Sequence, residues 1–381
     1  MRLPVADPLA AESLEYLAVQ YGTPLLVVDA ERVRQQYRRL QGALPGVVLH
    51  FALKPLPHVA VVRALAAEGA SFDLATNGEI QIVRSAGIAP ERCIHTHPIK
   101  RDADIRTALD FGVRTFVADN PDEVRKFGAY RDRARLLIRV AFRSPDAICD
   151  LSRKFGCDPA DAPGLVALAR GLGVAVAGLS FHVGSQTATP AMYVEAIGVC
   201  AGLMQRCAAA GAALGVLDIG GGFPVDDVAR GLQVEEFCAP ISAALAGLPP
   251  SVQVYAEPGR YIVAPAATAV AAVMGRALRD ERWWYYLDDG LYGSYSGQLY
   301  DHARFEVDAL KVAAQRFPSV LAGPTCDSID VIAEDVALPL LEAGDLVAGR
   351  SMGAYTWASA TDFNLFPRAT VLVLDRGQLL I

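Results

Sequence analysis

The chain has 381 residues, 52% hydrophobic and 20% charged, which allows roughly two domains with a sizeable core and excludes global disorder. Its formal net charge of −7, with basic residues scattered, argues against a nucleic-acid groove or an anionic membrane partner, and no apolar run is long enough to span a bilayer. Seven cysteines with no C-x-x-C pair, and an N-terminus lacking the basic and apolar regions of a secretory signal, argue against a disulfide framework or a zinc ribbon and for the cytoplasm.

Along the chain, short β-rich runs alternate with helical periodicity. Strands are expected over 47–52, 71–74, 92–96, 114–118, 135–141, 175–182, 216–219 and 252–257. Helices are expected over 57–68, 77–86, 102–111, 120–129, 162–172, 190–210 and 234–246. Eight strands in this alternation read as an α/β protein built on a (β/α)8 TIM barrel, with a doubly wound open sheet as the rival. After about residue 266 the runs become short and β-rich (AATAVAAVMGR, WWYYLDDG, DLVAG, TVLVLD), which predicts a mostly β C-terminal domain. The expected division is a barrel over 24–265 and a β-rich domain over 266–381, with 1–23 packing on the latter.

A barrel places functional groups at the C-terminal ends of its strands. Lys54 follows the first strand in HFALKP, Asp73 ends the second, His97 follows the third and Arg139 lies within the fifth. The sixth leads into FHVGSQ with His182 and Ser185, the seventh into DIGGGFP with Gly220, Gly221 and Gly222, and the eighth into AEPGR with Glu257 and Arg260. Three consecutive glycines let backbone N–H groups approach an anion. Taken alone they fit a flexible turn equally well; beside EPGR, where Arg260 offers a forked cationic donor, phosphate binding is preferred.

Lys54 is one of only five lysines, and a strand-end amine in a partly desolvated pocket is suited to attack a carbonyl. The alternative is a lysine snorkelling at a strand end. A phosphate loop, a strand-end lysine and a strand-end acid together fit pyridoxal 5′-phosphate. Neither G-x-G-x-x-G nor G-x-x-x-x-G-K-[ST] occurs to support a dinucleotide or P-loop site. Glu257 would then face the pyridine nitrogen and keep it protonated, and His182 would lie on the ring face.

With these motifs in order, the sequence resembles the alanine-racemase-fold, pyridoxal-phosphate-dependent decarboxylases, and within them the ornithine decarboxylases, from TPLLVVD to TDFNLFP. The resemblance implies Lys54 as Schiff-base lysine, His182 as ring-stacking histidine and Glu257 as partner of the pyridine nitrogen. It implies Ser185, Gly220, Gly221, Gly222, Gly259, Arg260 and Tyr355 as phosphate contacts, with Asp73 and Arg139 in support. In GPTCDSID it implies Cys326 as the catalytic cysteine and Asp327 as a substrate acid; Tyr300 and Asp301 in LYDHA and Phe363 in DFNLF line the substrate pocket.

Where diaminopimelate decarboxylases read Cys-Glu-Ser, this chain reads Cys-Asp-Ser. The family lysine is followed by a small residue and asparagine, whereas Lys54 is followed by Pro55 and Leu56. The activity implied is decarboxylation of L-ornithine to putrescine, in a homodimer whose partner donates the Cys-Asp pair, with no metal. The alternatives are lysine or another diamino acid as substrate, a racemase, or a non-catalytic binding protein like the antizyme inhibitors.

Overall fold

The computed structural model describes residues 3–142, 147–149, 153–187, 189–227 and 231–380. The chain forms two compact units, Gln36–Tyr261 and a discontinuous one made of Met1–Gln35 with Ile262–Ile381. In the first, eight parallel strands close into a barrel in chain order: Val47–Ala52, Ser71–Leu74, Cys93–His95, Thr115–Ala118, Arg135–Val140, Ala175–Phe181, Val216–Asp218 and Gln253–Ala256. The (β/α)8 expectation holds, and the open-sheet rival is removed by the pairing of the last strand with the first, Ala256 opposite Leu49.

Local chemistry sets the strand-to-helix transitions. The Thr76 hydroxyl accepts from the Glu79 N–H at the start of Asn77–Ser85, while the Glu79 carboxylate accepts from the Thr76 N–H. The Asn120 side chain accepts from the Glu123 N–H at the start of Pro121–Lys126, and Gly112 stops Asp102–Phe111 with φ +115°. The helix expected over 120–129 ends at Lys126, and a 3-10 turn, Phe127–Tyr130, completes the segment.

In the second unit, a sheet runs in the order Val331–Leu338, Phe317–Ala322, Arg282–Leu287, Ala267–Arg279, Leu25–Asp29, Thr370–Asp375 and Gln378–Leu380. Leu25–Asp29 lies within the segment expected to open the barrel, yet it pairs antiparallel with Ala267–Arg279 and parallel with Thr370–Asp375. All five of its positions are buried, so it reads as the same kind of apolar run as a barrel strand. The boundary between units accordingly falls after Gln35 instead of at 24. Leu14 and Leu17 of the helix Ala11–Tyr21 pack into a cluster with Leu25, Val27, Val270, Ala348 and Leu372, which ties the N-terminal segment to this sheet. Among the described residues no helix is long and apolar enough to cross a membrane.

Candidate active site

Strand pairing makes the sixth, seventh, eighth, first and second barrel strands neighbours in that order. The loops carrying His182 and Ser185, the three glycines, Glu257 to Arg260, Lys54 and Asp73 therefore occupy one sector of the barrel mouth. The glycine loop is tightly packed. A Cβ at Gly221 would sit 2.5 Å from the Glu257 carbonyl oxygen, and one at Gly220 or Gly222 closer still to the carbonyls of Phe181 and Gly184. Gly220 and Gly222 also hold φ of +68° and +109°. The buried Tyr193 hydroxyl donates to the Gly221 carbonyl at 2.8 Å. This loop is a shaped cradle, and the flexible-turn alternative is set aside. Arg260 is buried at the start of the short helix Arg260–Val263, and Ser185 lies in a small ribbon opposite Cys149.

Lys54 Nζ lies 3.9 Å from Asp73 Oδ2, and its side chain is 44% exposed. The lysine that is desolvated is Lys100: its ammonium pairs with Glu123 at 2.9 Å, donates to the carbonyls of His97, Pro98 and Val117, and is pushed down to about 8 by burial. The neighbourhood of the buried Asp73 sets Lys54 apart. Asp73 is buried and accepts from the Thr96 hydroxyl at 2.5 Å. Burial raises its pKa, and Lys54 and the Thr96 hydroxyl pull it back. Arg139 is half-buried with its guanidinium 5.5 Å from the Phe155 ring centre, and the His97 ring packs on the edge of the same phenyl at 5.6 Å.

His182 Nδ1 accepts from the Gly184 N–H at 3.0 Å, which leaves Nε2 as the protonated position of the neutral ring. Burial, with Arg139 and Lys54 close by, holds this histidine well below its ordinary pKa. Glu257 is pushed well above the carboxylate range by burial and then by the Asp218 and Asp73 carboxyls. Asp218, quoted in DIGGGFP but given no role from sequence, is completely buried. Its Oδ1 accepts from the Gly220 N–H at 2.9 Å, and burial lifts it to about 6.

The remaining expected residues lie in the β-rich unit. Asp327 Oδ2 accepts from the Tyr292 hydroxyl at 2.5 Å, and the Tyr292 ring stacks on Phe363 with centres 4.5 Å apart. The hydroxyl holds the Asp327 carboxyl below its usual range. The Cys326 N–H donates to Asn364 Oδ1 at 3.0 Å, so Cys326, Asp327 and Phe363 form one linked group. Asp330 braces their loop by accepting from the Leu291 N–H and from the Thr325 N–H and hydroxyl. Among the six described free cysteines, Cys326 alone is exposed. Tyr300 and Asp301 lie on and just after the short helix Gly297–Tyr300, and Gly297 abuts the Tyr355 carbonyl. Tyr292, Thr96 and Asp218 escaped the sequence reading; a strand-end aspartate before a glycine run was the one available signal, and it pointed to Asp218.

A family profile described as "Pyridoxal-dependent decarboxylase, pyridoxal binding domain" matches residues 30–264. The chain belongs to the pyridoxal-dependent decarboxylases. The structure of a lysine/ornithine decarboxylase from Vibrio vulnificus complexed with cadaverine is similar, at 54% identity and a TM-score of 0.91 over 95% of this chain and 97% of that one. The putrescine complex from the same organism is 53% identical with a TM-score of 0.92, covering 98% of this chain and 100% of that one. The lysine/ornithine decarboxylase of Selenomonas ruminantium is 36% identical over 96% of this chain and 93% of its own length.

This decarboxylase is a lyase that uses pyridoxal 5′-phosphate to decarboxylate basic amino acids. Its residues suit that cofactor: an accessible amine beside a buried carboxylate, a glycine cradle that no Cβ could enter, a neutral histidine and a buried acid in one sector of the barrel mouth.

Proposed function

We propose that the chain decarboxylates L-ornithine to putrescine, and that L-lysine enters the same site. The observation that carries this reading is Asp327, a half-buried carboxylate kept ionised by the Tyr292 hydroxyl and backed by the Tyr292–Phe363 stack. Such a carboxylate beside aromatic faces suits an ammonium at the end of an aliphatic chain. Lysine is longer by one methylene, a difference worth only about 1–3 kcal/mol in a binding pocket. The Vibrio relative was crystallised with both cadaverine and putrescine, which favours lysine as the second substrate.

In this reading the Lys54 amine would hold the cofactor covalently at its carbonyl carbon, whose oxygen would leave as water, and Asp73 keeps the Lys54 side chain in place. The N–H groups of Gly221 and Gly222, in the loop whose first residue Gly220 is pinned by Asp218, hold the phosphate with Ser185, Gly259, Arg260 and Tyr355. His182 supports the ring face, with Arg139 as a counter-charge to the acids below it. Glu257 keeps a proton at the ring nitrogen. The bound cofactor supplies a ring that accepts the electron pair left as the bond from Cα to the carboxylate breaks. Cys326 then returns a proton to Cα, while Asp301, Asp327, Tyr300 and Phe363 hold the substrate's far end.

The Cys326–Asp327 segment serves the barrel of a second copy, so the working form is a head-to-tail homodimer acting in the cytoplasm. A substrate panel of ornithine, lysine, arginine and diaminopimelate, with products identified by mass, tests the specificity. Putrescine as the dominant product is expected, and selective turnover of diaminopimelate overturns the reading. Mixing Lys54→Ala and Cys326→Ala proteins tests the shared site: random re-pairing of two inactive variants should restore about a quarter of normal activity, and none if each chain builds its own site.

A further inference from the structure

The floor of the barrel site holds more acid than base. Buried Asp73, Asp218 and Glu257 come from the second, seventh and eighth strands, and Asp119 follows the fourth. Facing them are Lys54 after the first strand and Arg139 on the fifth, while His182 after the sixth is neutral. With every carboxyl ionised, a dehydrated pocket would carry uncompensated negative charge, which is costly.

The hydrogen bonds narrow the places where a proton can sit. Asp218 spends Oδ1 on the Gly220 N–H, 2.9 Å away. Its Oδ2 is buried, and among the described residues no amide, amine or hydroxyl donates to it. The Glu257 and Asp218 carboxyls lie at the ends of neighbouring strands, close enough to perturb each other, and the Glu257 N–H is itself tied to the Gly220 carbonyl at 2.7 Å. Two ionised carboxylates offer acceptors only, so a bond between them requires a proton.

We propose that Asp218 and Glu257 share one proton before the cofactor binds, and that Asp218 is the positioning residue that keeps this proton on Glu257 for the cofactor's ring nitrogen. The proposal rests on the role assigned to Glu257 above. On loading, the Glu257 O–H bond breaks with its electron pair remaining on oxygen, and an N–H bond forms at the ring nitrogen. The net charge of the site is unchanged and no proton is drawn from solvent. Asp218 thereby links the two ends of the cofactor site: one oxygen pins the first glycine of the phosphate cradle, and the other sets the protonation of the acid under the ring.

Infrared difference spectra of the cofactor-free protein, recorded before and after adding pyridoxal 5′-phosphate at neutral pH, test this directly. The expected result is loss of one protonated-carboxyl C=O band on loading, a band missing from both Asp218→Asn and Glu257→Gln before loading. Retention of the band through loading, its absence from the unloaded wild type, or its survival in Asp218→Asn overturns the proposal. Should the variants not fold, the wild-type spectrum decides alone.

Loading is followed by visible absorbance. Failure to load overturns both this proposal and the assignment of the site, whereas loading with an unchanged carboxyl region overturns the shared proton only. Cofactor titration separates the second role of Asp218: Asp218→Ala should weaken binding by about tenfold or more, while Asp218→Asn, which keeps an oxygen for the Gly220 N–H, should restore most of it.

Discussion

The pyrrolidine ring of Pro55 is keyed against Gly259: a Cβ at Gly259 would lie 2.7 Å from Pro55 Cγ. Pro55 and Leu56, the two residues after Lys54 that depart from the family pattern, are both buried, and the Leu56 N–H closes a turn onto the Leu53 carbonyl at 3.0 Å. The turn that presents Lys54 is thus braced by the loop after the eighth strand, and no asparagine amide is needed to hold it. Gly259→Ala should destabilise the protein by about 1–3 kcal/mol through overpacking and weaken cofactor binding. Pro55→Ala in the same chain should recover much of both. Urea unfolding and cofactor titration of the single and double variants measure this, and an equal penalty in both backgrounds would remove Pro55 from the explanation.

Thr96 holds the carboxylate that faces Lys54. Thr96→Val keeps the shape and removes the 2.5 Å donor to Asp73, so the Asp73 pKa should rise further. Leaving a buried carboxylate short of one hydrogen bond costs about 1–3 kcal/mol. The pH profile of the bound cofactor's absorbance should move with it, because Lys54 would lose part of its counter-ion. A variant with an unmoved profile would show that Thr96 only fills space.

Tyr292 orders the Asp327 carboxylate, which in the proposed reading holds the substrate's far end away from the reacting carbon. Tyr292→Phe should raise KM for ornithine at least several-fold, leave kcat nearly intact and leave the cofactor spectrum unchanged. Asp327→Ala should raise KM further. Steady-state kinetics on the two variants suffice, and a fall in kcat at constant KM for Tyr292→Phe would contradict the assignment.

Acid stability follows from two opposed sets of buried groups. Burial lowers His50 to about 4 and His95 to about 3, from 6.5. The unfolded chain therefore gains protons below pH 6.5 that the fold refuses, and stability falls as pH drops through that window. Burial raises Asp218 and Asp289 to about 6 from 3.8, so the fold takes up protons first and their contribution grows as pH falls from 6 towards 3.8. Between pH 6 and 4 these histidines and aspartates oppose each other. His95→Phe removes one of the two histidines: relative to wild type, the cofactor-free variant should gain about 2–3 kcal/mol between pH 6 and 4. Urea unfolding at the two pH values tests it, and a constant difference would mean that His95 is not held neutral.

The barrel was legible from sequence because each strand is a short run followed at once by turn and capping chemistry, as at Leu74 to Glu79. The residues at strand ends were legible for the same reason, since chain order alone places Lys54, Asp73, His182 and Glu257 at one mouth. Leu25–Asp29 was misplaced because its partners lie more than two hundred residues away, and nothing local distinguishes an apolar run bound for one sheet from a run bound for another. Tyr292 was missed because its partner Asp327 is brought to it by the Asp330 brace, a tertiary arrangement with no spacing rule. That Lys100 is the more deeply enclosed lysine was not legible, because burial depends on neighbours from several strands.

The placement of Leu25–Asp29 between Ala267–Arg279 and Thr370–Asp375 has a bearing on how the protein is made. On the ribosome this segment emerges early and waits for partners translated near the end, while Gln36–Tyr261 has all of its own strands in hand. During that interval it is a sticky apolar ribbon with two open edges, exposed to pairing with other nascent chains. Holdase chaperones would find their binding site there, and deleting the first thirty codons would leave a finished barrel attached to a sheet split down its middle.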